Sequence, residues 1–411
     1  MPNSSNARTW LTVKRLRAHG LILAVCLSSL YVWNMAAEGL RDRAGNLKGT
    51  DFLHFYTLGS LALAHRGADL YDMEVQAKLA AQRVPEAAGI RYLPLYPPQV
   101  SIFFSPLAHL SYGWALVVWL AVSSLIYGLC CYAVWRACPN LRENAWTVAL
   151  LAVAFPAFFH LIAWGQTSAL ALGCFTLVFL LLRRERNFLA GLALGCLIFK
   201  PQLGLAAAVV FLSVAAWEIV AGAVLSAAAQ FGIAWIYYGL GPLREWVRTL
   251  LHLRELLPLL EPRPYQTHSL RTLWSFLVPW PDLAFTLYLL SGFAMLALGV
   301  SCWRGRQTAP LGLRYPSLLL ATVLVSPHLT VYDLVILMPA FLLITDWLIA
   351  QPASTKIRRL GGLLYLAYLS PLLGPLDTWT HLQISVIVMV VVLYMIWRMT
   401  RGISPASMAG V

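Results

Sequence analysis

Charge is what this chain has least of. Asp, Glu, Lys and Arg make up 11% of its 411 residues, while 60% are hydrophobic; a soluble domain is about a quarter charged. So much apolar surface cannot all be hidden in a water-soluble core. Repeated apolar runs long enough to cross a bilayer point to a polytopic membrane protein. Acids are scarcer than bases, 17 against 30, for a net charge of +13. The basic residues stand in short groups between apolar runs and are not interleaved with aromatics. That pattern belongs to cytoplasmic loops and speaks against a nucleic-acid partner.

Other absences narrow the chemistry. The seven cysteines are odd in number, form no CxxC and sit in or beside apolar runs, so they read as buried thiols and not as a disulfide framework or a metal site. No Walker loop, GxGxxG, HExxH or GxSxG appears, which argues against nucleotide-driven transport and several hydrolase classes. No internal repeat is evident, which weakens a transporter built on inverted repeats. Nor is there a low-complexity segment, a soluble domain or a DxD pair in the first loop. The nearest thing is "DLYD", whose Asp69 and Asp72 can share one helical face.

What is present is a series of spans. The first runs over about 19–38 behind the basic flank Lys14, Arg15 and Arg17, which keeps the N-terminus cytoplasmic. Residues 39–111 form an extracytoplasmic loop with short amphipathic helices, ending in "YLPLYPPQVSIFFSPLAHL". Its apolar part, 96–110, is short for a span and reads as re-entrant. Central spans fill 112–239 (112–135, 145–163, 167–182, 187–199, 201–216 and 217–239). A second polar segment covers 240–280, and the last spans lie within 281–398. The expectation is one all-α membrane domain over 1–411 with about twelve spans and both termini cytoplasmic.

On that topology several polar breaks reach the same outer face. They are Asp51, the Tyr96-Pro97-Pro98 turn, "WGQTS" around Gln166, "FKPQ" around Lys200, "QTHSLR" from Gln266 to Arg271, and "SPHLTVYD" from Ser326 to Asp333. A polar group inside apolar surroundings is costly and is by default a functional candidate. Lys200 is the sharpest case, an ammonium in a long apolar run that calls for an anion such as a phosphate at headgroup level. Each candidate also has a plainer reading. Asp51 can be a helix N-cap, Lys200 can snorkel, Gly165-Gln166 can be a turn, and His328 can be an interfacial histidine with a satisfied hydrogen bond. The chemistry that suits the set is transfer of a sugar from a lipid phosphate. A carboxylate takes the acceptor's proton, and Lys200, His328 and Arg263 or Arg271 neutralise the phosphate. The rival is a carrier or flippase for a lipid-linked or small anionic solute, for which so long an outer segment has little use.

The segments "DFLHFY", "YLPLYPPQVSIFFSPLAHL", "AWGQTSALAL", "AGLALGCLIFKPQLG" and "SPHLTVYDLVIL", in this order over roughly 50–340, resemble glycosyltransferase family 87 of the GT-C superfamily. Its best-known members are polyprenyl-phosphate-mannose-dependent alpha-(1,2)-mannosyltransferases. The resemblance implies a GT-C fold and an inverting transfer, outside the cytoplasm, from a polyprenyl-phosphate sugar to a glycolipid or glycan acceptor. It implies Asp51 as general base, His328 in support of that acid, and Lys200 on the donor phosphate. Gln166, Tyr96, His268, Arg271, Tyr332 and Asp333 complete the expected substrate contacts. No cofactor is expected; members of the superfamily differ in their use of a divalent metal. "QTHSL" replaces the family's usual amide-bearing "NQSL", which leaves the sugar open.

Overall fold

The computed structural model describes residues 11–252, 255, 264–304 and 309–402. The chain is an all-α polytopic membrane protein. In order, the helices of the first half are α1 (Val13–Met35), α2 (Thr50–Leu63), α3 (Met73–Arg83), α4 (Gln99–Phe104), α5 (Tyr112–Arg136), α6 (Ala145–Val153), α7 (Pro156–Trp164), α8 (Ser168–Arg183), α9 (Asn187–Gly195), α10 (Pro201–Ser213), α11 (Trp217–Tyr238) and α12 (Gly241–Leu251). The second half holds α13 (Leu270–Leu277), α14 (Pro281–Arg304), α15 (Leu311–Val325), α16 (Met338–Ile349), α17 (Thr355–Leu369), α18 (Gly374–Thr380) and α19 (Ile384–Gly402).

Among the described residues six helical units are long and apolar enough to cross a membrane: α1, α5, α11, α14, Val331–Ile349 and Ile384–Arg401. Four more apolar stretches are shorter: α8, Asn187–Phe199, α10 and α15. A helix of such length rises about 20–24 Å, less than the roughly 30 Å of hydrocarbon. Three of these stretches stop at polar residues, at Ser168, at Lys200 and at Ser326. Their ends leave room for a cavity inside the bundle.

Local sequence explains the departures from an even run of spans. The first helix begins at Val13, earlier than the apolar run suggests, because Thr12 caps it by accepting from the Arg15 N–H. The stretch 145–163 is not one straight helix: α6 and α7 meet at a 46° bend. Pro156 opens α7, cannot donate a backbone hydrogen bond, and holds Phe155 extended. The 96–110 stretch folds as the six-residue α4 and a 3-10 turn over Ser105–His109, too short to cross. Where α9 crosses α11 the backbones touch: a Cβ on Gly191 would lie 2.1 Å from the Ile219 carbonyl oxygen, so only glycine fits.

Three expectations about the first loop are corrected. Helix α2 does not lie on a surface; every residue from Phe52 to Ala62 is buried. It has no charged face to offer water, since its only acid is Asp51, and a helix apolar all round packs inside. Its N-cap is Gly49 in the left-handed conformation, with Thr50 as the first helical residue donating to the Leu47 carbonyl. Asp69 and Asp72 do not share a face: Asp69 pairs with Arg66, and Asp72 caps α3 through the N–H groups of Glu74 and Val75.

Candidate active site

The buried helix α2 delivers Asp51 to the wall of a cavity of about 1230 Å³. The cavity is also lined by Tyr96, Gln166, Lys200, His328, Tyr332 and Asp333, so seven of the nine candidate positions face one space.

One half of the site is neutral apart from its carboxylate. Gln166 follows the tight turn that ends α7, where Gly165 has φ 68 and a Cβ would meet that of Phe52 at 2.7 Å. Trp119 donates its indole N–H to the Gly165 carbonyl at 2.8 Å and pins the turn. The Thr167 N–H is donated to Gln166 Oε1 at 3.0 Å, so the amide must turn its Nε2 the other way. That Nε2 donates to Asp51 Oδ2 at 2.8 Å and to the Tyr332 hydroxyl at 3.2 Å. Tyr96 reaches Gln166 Oε1 from the far side at 3.5 Å. Asp51 therefore has neutral donors. Burial pushes its carboxyl up to about 6, against the opposing pull of the Gln166 hydrogen bond, the Lys200 charge and Tyr332. A carboxylate poised near neutrality is suited to take a proton.

The other half is an ion pair. Lys200 Nζ donates to Asp333 Oδ1 at 2.7 Å and to Ser168 Oγ at 3.2 Å, and stands 5.3 Å from the centre of the Tyr332 ring. Both side chains of the pair are about 5% exposed or less. The second Asp333 oxygen accepts from the Thr330 N–H in a reciprocal capping box. The anion that Lys200 calls for is thus supplied by the chain itself. The ammonium has three N–H donors, so a cavity-side acceptor can still be served.

His328 lines the cavity, with Nε2 3.5 Å from the Thr330 hydroxyl; the orienting partner of Asp51 is Gln166. His268 and Arg271 are not among the lining residues. Thr267 bridges Thr330 as in a strand pair, and its neighbour His268 donates its backbone N–H to Leu329. Alternate residues of an extended segment point to opposite sides. Thr267 accordingly faces the cavity while His268 turns to the Ser385 hydroxyl, 2.7 Å away. Arg271 donates to the Pro327 carbonyl at 2.5 Å and braces the turn that carries His328. Arg263 lies outside the described residues.

Sequence reasoning passed over Ser168 and Tyr92. Ser168 was within reach, as the last residue of the polar break "WGQTS". Tyr92, whose hydroxyl is donated to the Thr50 carbonyl, gives no signal in an aromatic-rich loop. All seven cysteines are free, and among the described residues no group of three His, Cys, Asp or Glu is placed to hold a metal ion.

A family model, Glycosyltransferase family 87, matches residues 95–327, more than half of the chain. The match takes in Tyr96, Gln166 and Lys200 and stops short of Asp51 and His328. No curated protein and no solved structure matches the chain.

Proposed function

The chain belongs to glycosyltransferase family 87, and we propose that it moves a sugar from a polyprenyl-phosphate donor to an acceptor hydroxyl, with inversion, on the extracytoplasmic face. The observation that carries the reading is the pairing of a carboxylate held by neutral donors with a buried ammonium, on one cavity. In the proposed step the acceptor hydroxyl gives its proton to Asp51 as its oxygen bonds to the anomeric carbon. The bond from that carbon to the phosphate oxygen breaks, and polyprenyl phosphate leaves with the electron pair. An anionic leaving group needs no acid, only a cation, and Lys200 fills that role. Gln166 and Tyr332 orient Asp51, and His328, on the same cavity wall, meets the sugar. The reading calls on no metal, and mannose is the first sugar to try.

Charge supports this side of the membrane. The basic groups Lys14/Arg15/Arg17, Arg183/Arg184, Lys356/Arg358/Arg359 and Arg398/Arg401 all lie at the ends of α1, α8, α17 and α19 away from the cavity. Such clusters are enriched on the cytoplasmic side, which favours a cavity on the outer face.

The test is product formation. Purified protein in vesicles, given labelled polyprenyl-phosphate mannose and an envelope lipid extract, is expected to yield a new glycoside. Asp51→Asn is expected to lose it by about a thousandfold while remaining folded and inserted. An Asn variant with near wild-type turnover overturns the assignment.

A further inference from the structure

Helix α7 ends beside the base. Trp164 is its last residue, and Gln166, two positions on, donates to Asp51 at 2.8 Å. One turn back on the same face is His160, and both rings line the cavity. Across from them on α1 is Tyr31, also a lining residue, whose ring meets that of Phe159 edge-on with centres 6.4 Å apart. Each of the three is half-buried, and none of their side chains has a hydrogen-bond partner among the described residues. They present an indole N–H, an imidazole and a phenol to the cavity with nothing of the chain to bind.

Such groups are out of place unless a ligand uses them. The helices that carry them, α1 and the bent α6–α7 pair, are apolar enough to cross the membrane. A polar edge there costs free energy while it stays unpaired, and phenylalanine at 31 and 160 or leucine at 164 would avoid the cost. An interfacial belt explains tyrosine and tryptophan that face headgroups. It does not explain a histidine, nor three rings turned to one cavity. Their chemistry suits a pyranose: the apolar C–H face of a sugar covers an aromatic ring, and its hydroxyls both donate and accept, as a neutral imidazole does. From Trp164 to His160 the helix rises about 6 Å, a distance that one sugar ring can cover. Position decides which sugar this is. In an inverting displacement the attacking oxygen and the leaving phosphate stand on opposite faces of the anomeric carbon. With the phosphate at Lys200 and the attacking oxygen at Asp51, the body of the acceptor extends beyond Asp51, away from Lys200. Trp164 is tied to the Asp51 side through Gln166, and the Tyr332 ring contacts both it and the ammonium, with the indole centre at 5.9 Å and Nζ at 5.3 Å.

We propose that Trp164, His160 and Tyr31 form the subsite that selects the acceptor: its sugar ring lies on the indole, and His160 and Tyr31 meet hydroxyls other than the one that attacks. The inference rests on the glycosyl-transfer reading and deepens it, by assigning the residues that discriminate among acceptors.

The experiment uses the full-length protein in phosphatidylcholine vesicles. Octyl α-mannoside, octyl β-glucoside and octyl β-galactoside are the acceptor probes, each also made with a diazirine on the octyl chain near the sugar. Irradiation of at least one of them is expected to label the peptide 156–164. Excess unmodified glycoside should compete, and Trp164→Leu should lower the label about tenfold. With labelled polyprenyl-phosphate mannose as donor, the best probe is then compared with its monodeoxy analogues. One lacks the attacking hydroxyl and gives no product. Another, lacking the hydroxyl that His160 meets, is expected to lose about tenfold in kcat/KM with the wild-type protein. His160→Phe is expected to raise the acceptor KM about tenfold, leave the donor KM unchanged, and use that analogue as well as the parent glycoside. His160→Gln, which keeps a donor and an acceptor, is expected to retain part of the penalty. The same deoxy penalty in His160→Phe as in the wild type, a change in donor KM alone, or no label on 156–164 overturns the proposal, the last whether or not sugar is transferred. Competed label on 156–164 without transfer to any probe supports the subsite and counts against the transfer reading. Should the variants fail to fold, the labelling of the wild-type protein decides.

Discussion

Asp51 and Asp333 stand on one cavity and have opposite surroundings. Asp333 accepts from an ammonium, a hydroxyl and a backbone N–H, so each of its oxygens is occupied. Asp51 has the Gln166 amide and a tyrosine hydroxyl nearby, and no cation in contact. The first has both oxygens taken up in fixing Lys200 and the turn at 326–330. The second keeps an oxygen for a proton. Two carboxylates of the same type thus acquire two roles from their neighbours alone. The lesson is that the proposed base is marked by what it lacks.

The widest separation between the two comes from neutralising each in turn. Asp51→Asn removes the proton acceptor and leaves no buried charge unpaired, so turnover falls by about a thousandfold with little change in unfolding temperature. Asp333→Asn strands Lys200 in a buried site, and breaking one partner of such a pair costs about 3–5 kcal/mol. Thermal unfolding in detergent should show a large drop for Asp333→Asn only. Equal stability losses would mean that the two acids play the same part. Next in size is Gln166→Leu, which withdraws the donor to Asp51 and loosens its link to Tyr332; on the order of tenfold to a hundredfold of kcat is expected to go, with the donor KM changing less.

Much of this contrast was legible beforehand. The breaks at Asp51, "WGQTS", "FKPQ" and "SPHLTVYD" were visible because a polar residue in an apolar run is rare and costly, and all four meet at the cavity. What could not be read was pairing. Lys200 and Asp333 are 133 residues apart, and nothing in a single sequence says that the ammonium's anion is internal. His268 failed for a local reason. Periodicity of helices gives no warning that 267 and 268 lie in an extended bridge with alternating sides. The burial of α2 was hidden in a different way: its even apolarity was legible, but the neighbours that cover it, α4 and α5, are set by tertiary packing.

The pH dependence of transfer sharpens the comparison further. A base acts in its ionised form, and the carboxyl of Asp51 is pushed up by burial to about 6. Transfer should therefore fall about tenfold per pH unit below 6 and level off above it, until another group intervenes. Gln166→Leu removes a hydrogen bond that favours the carboxylate, so its acid limb should move to higher pH. Asp333 lines the same cavity, and the proposed mechanism does not make it the proton acceptor. A conservative change near it should leave the limb in place.

Ser168→Ala supplies that change and is the smallest of the expected effects. Its hydroxyl is shared between Lys200 and Asp333. Without it the ion pair persists, and about 1 kcal/mol of hydrogen bonding is lost. If Lys200 holds the donor phosphate, a slightly looser ammonium should raise the donor KM a few-fold, leave kcat nearly unchanged, and keep the acid limb near 6. A limb that moved with Ser168 would tie the proton acceptor to the Asp333 half. Unmoved, it assigns the proton to Asp51 and the phosphate to Lys200, two tasks kept apart by one tyrosine.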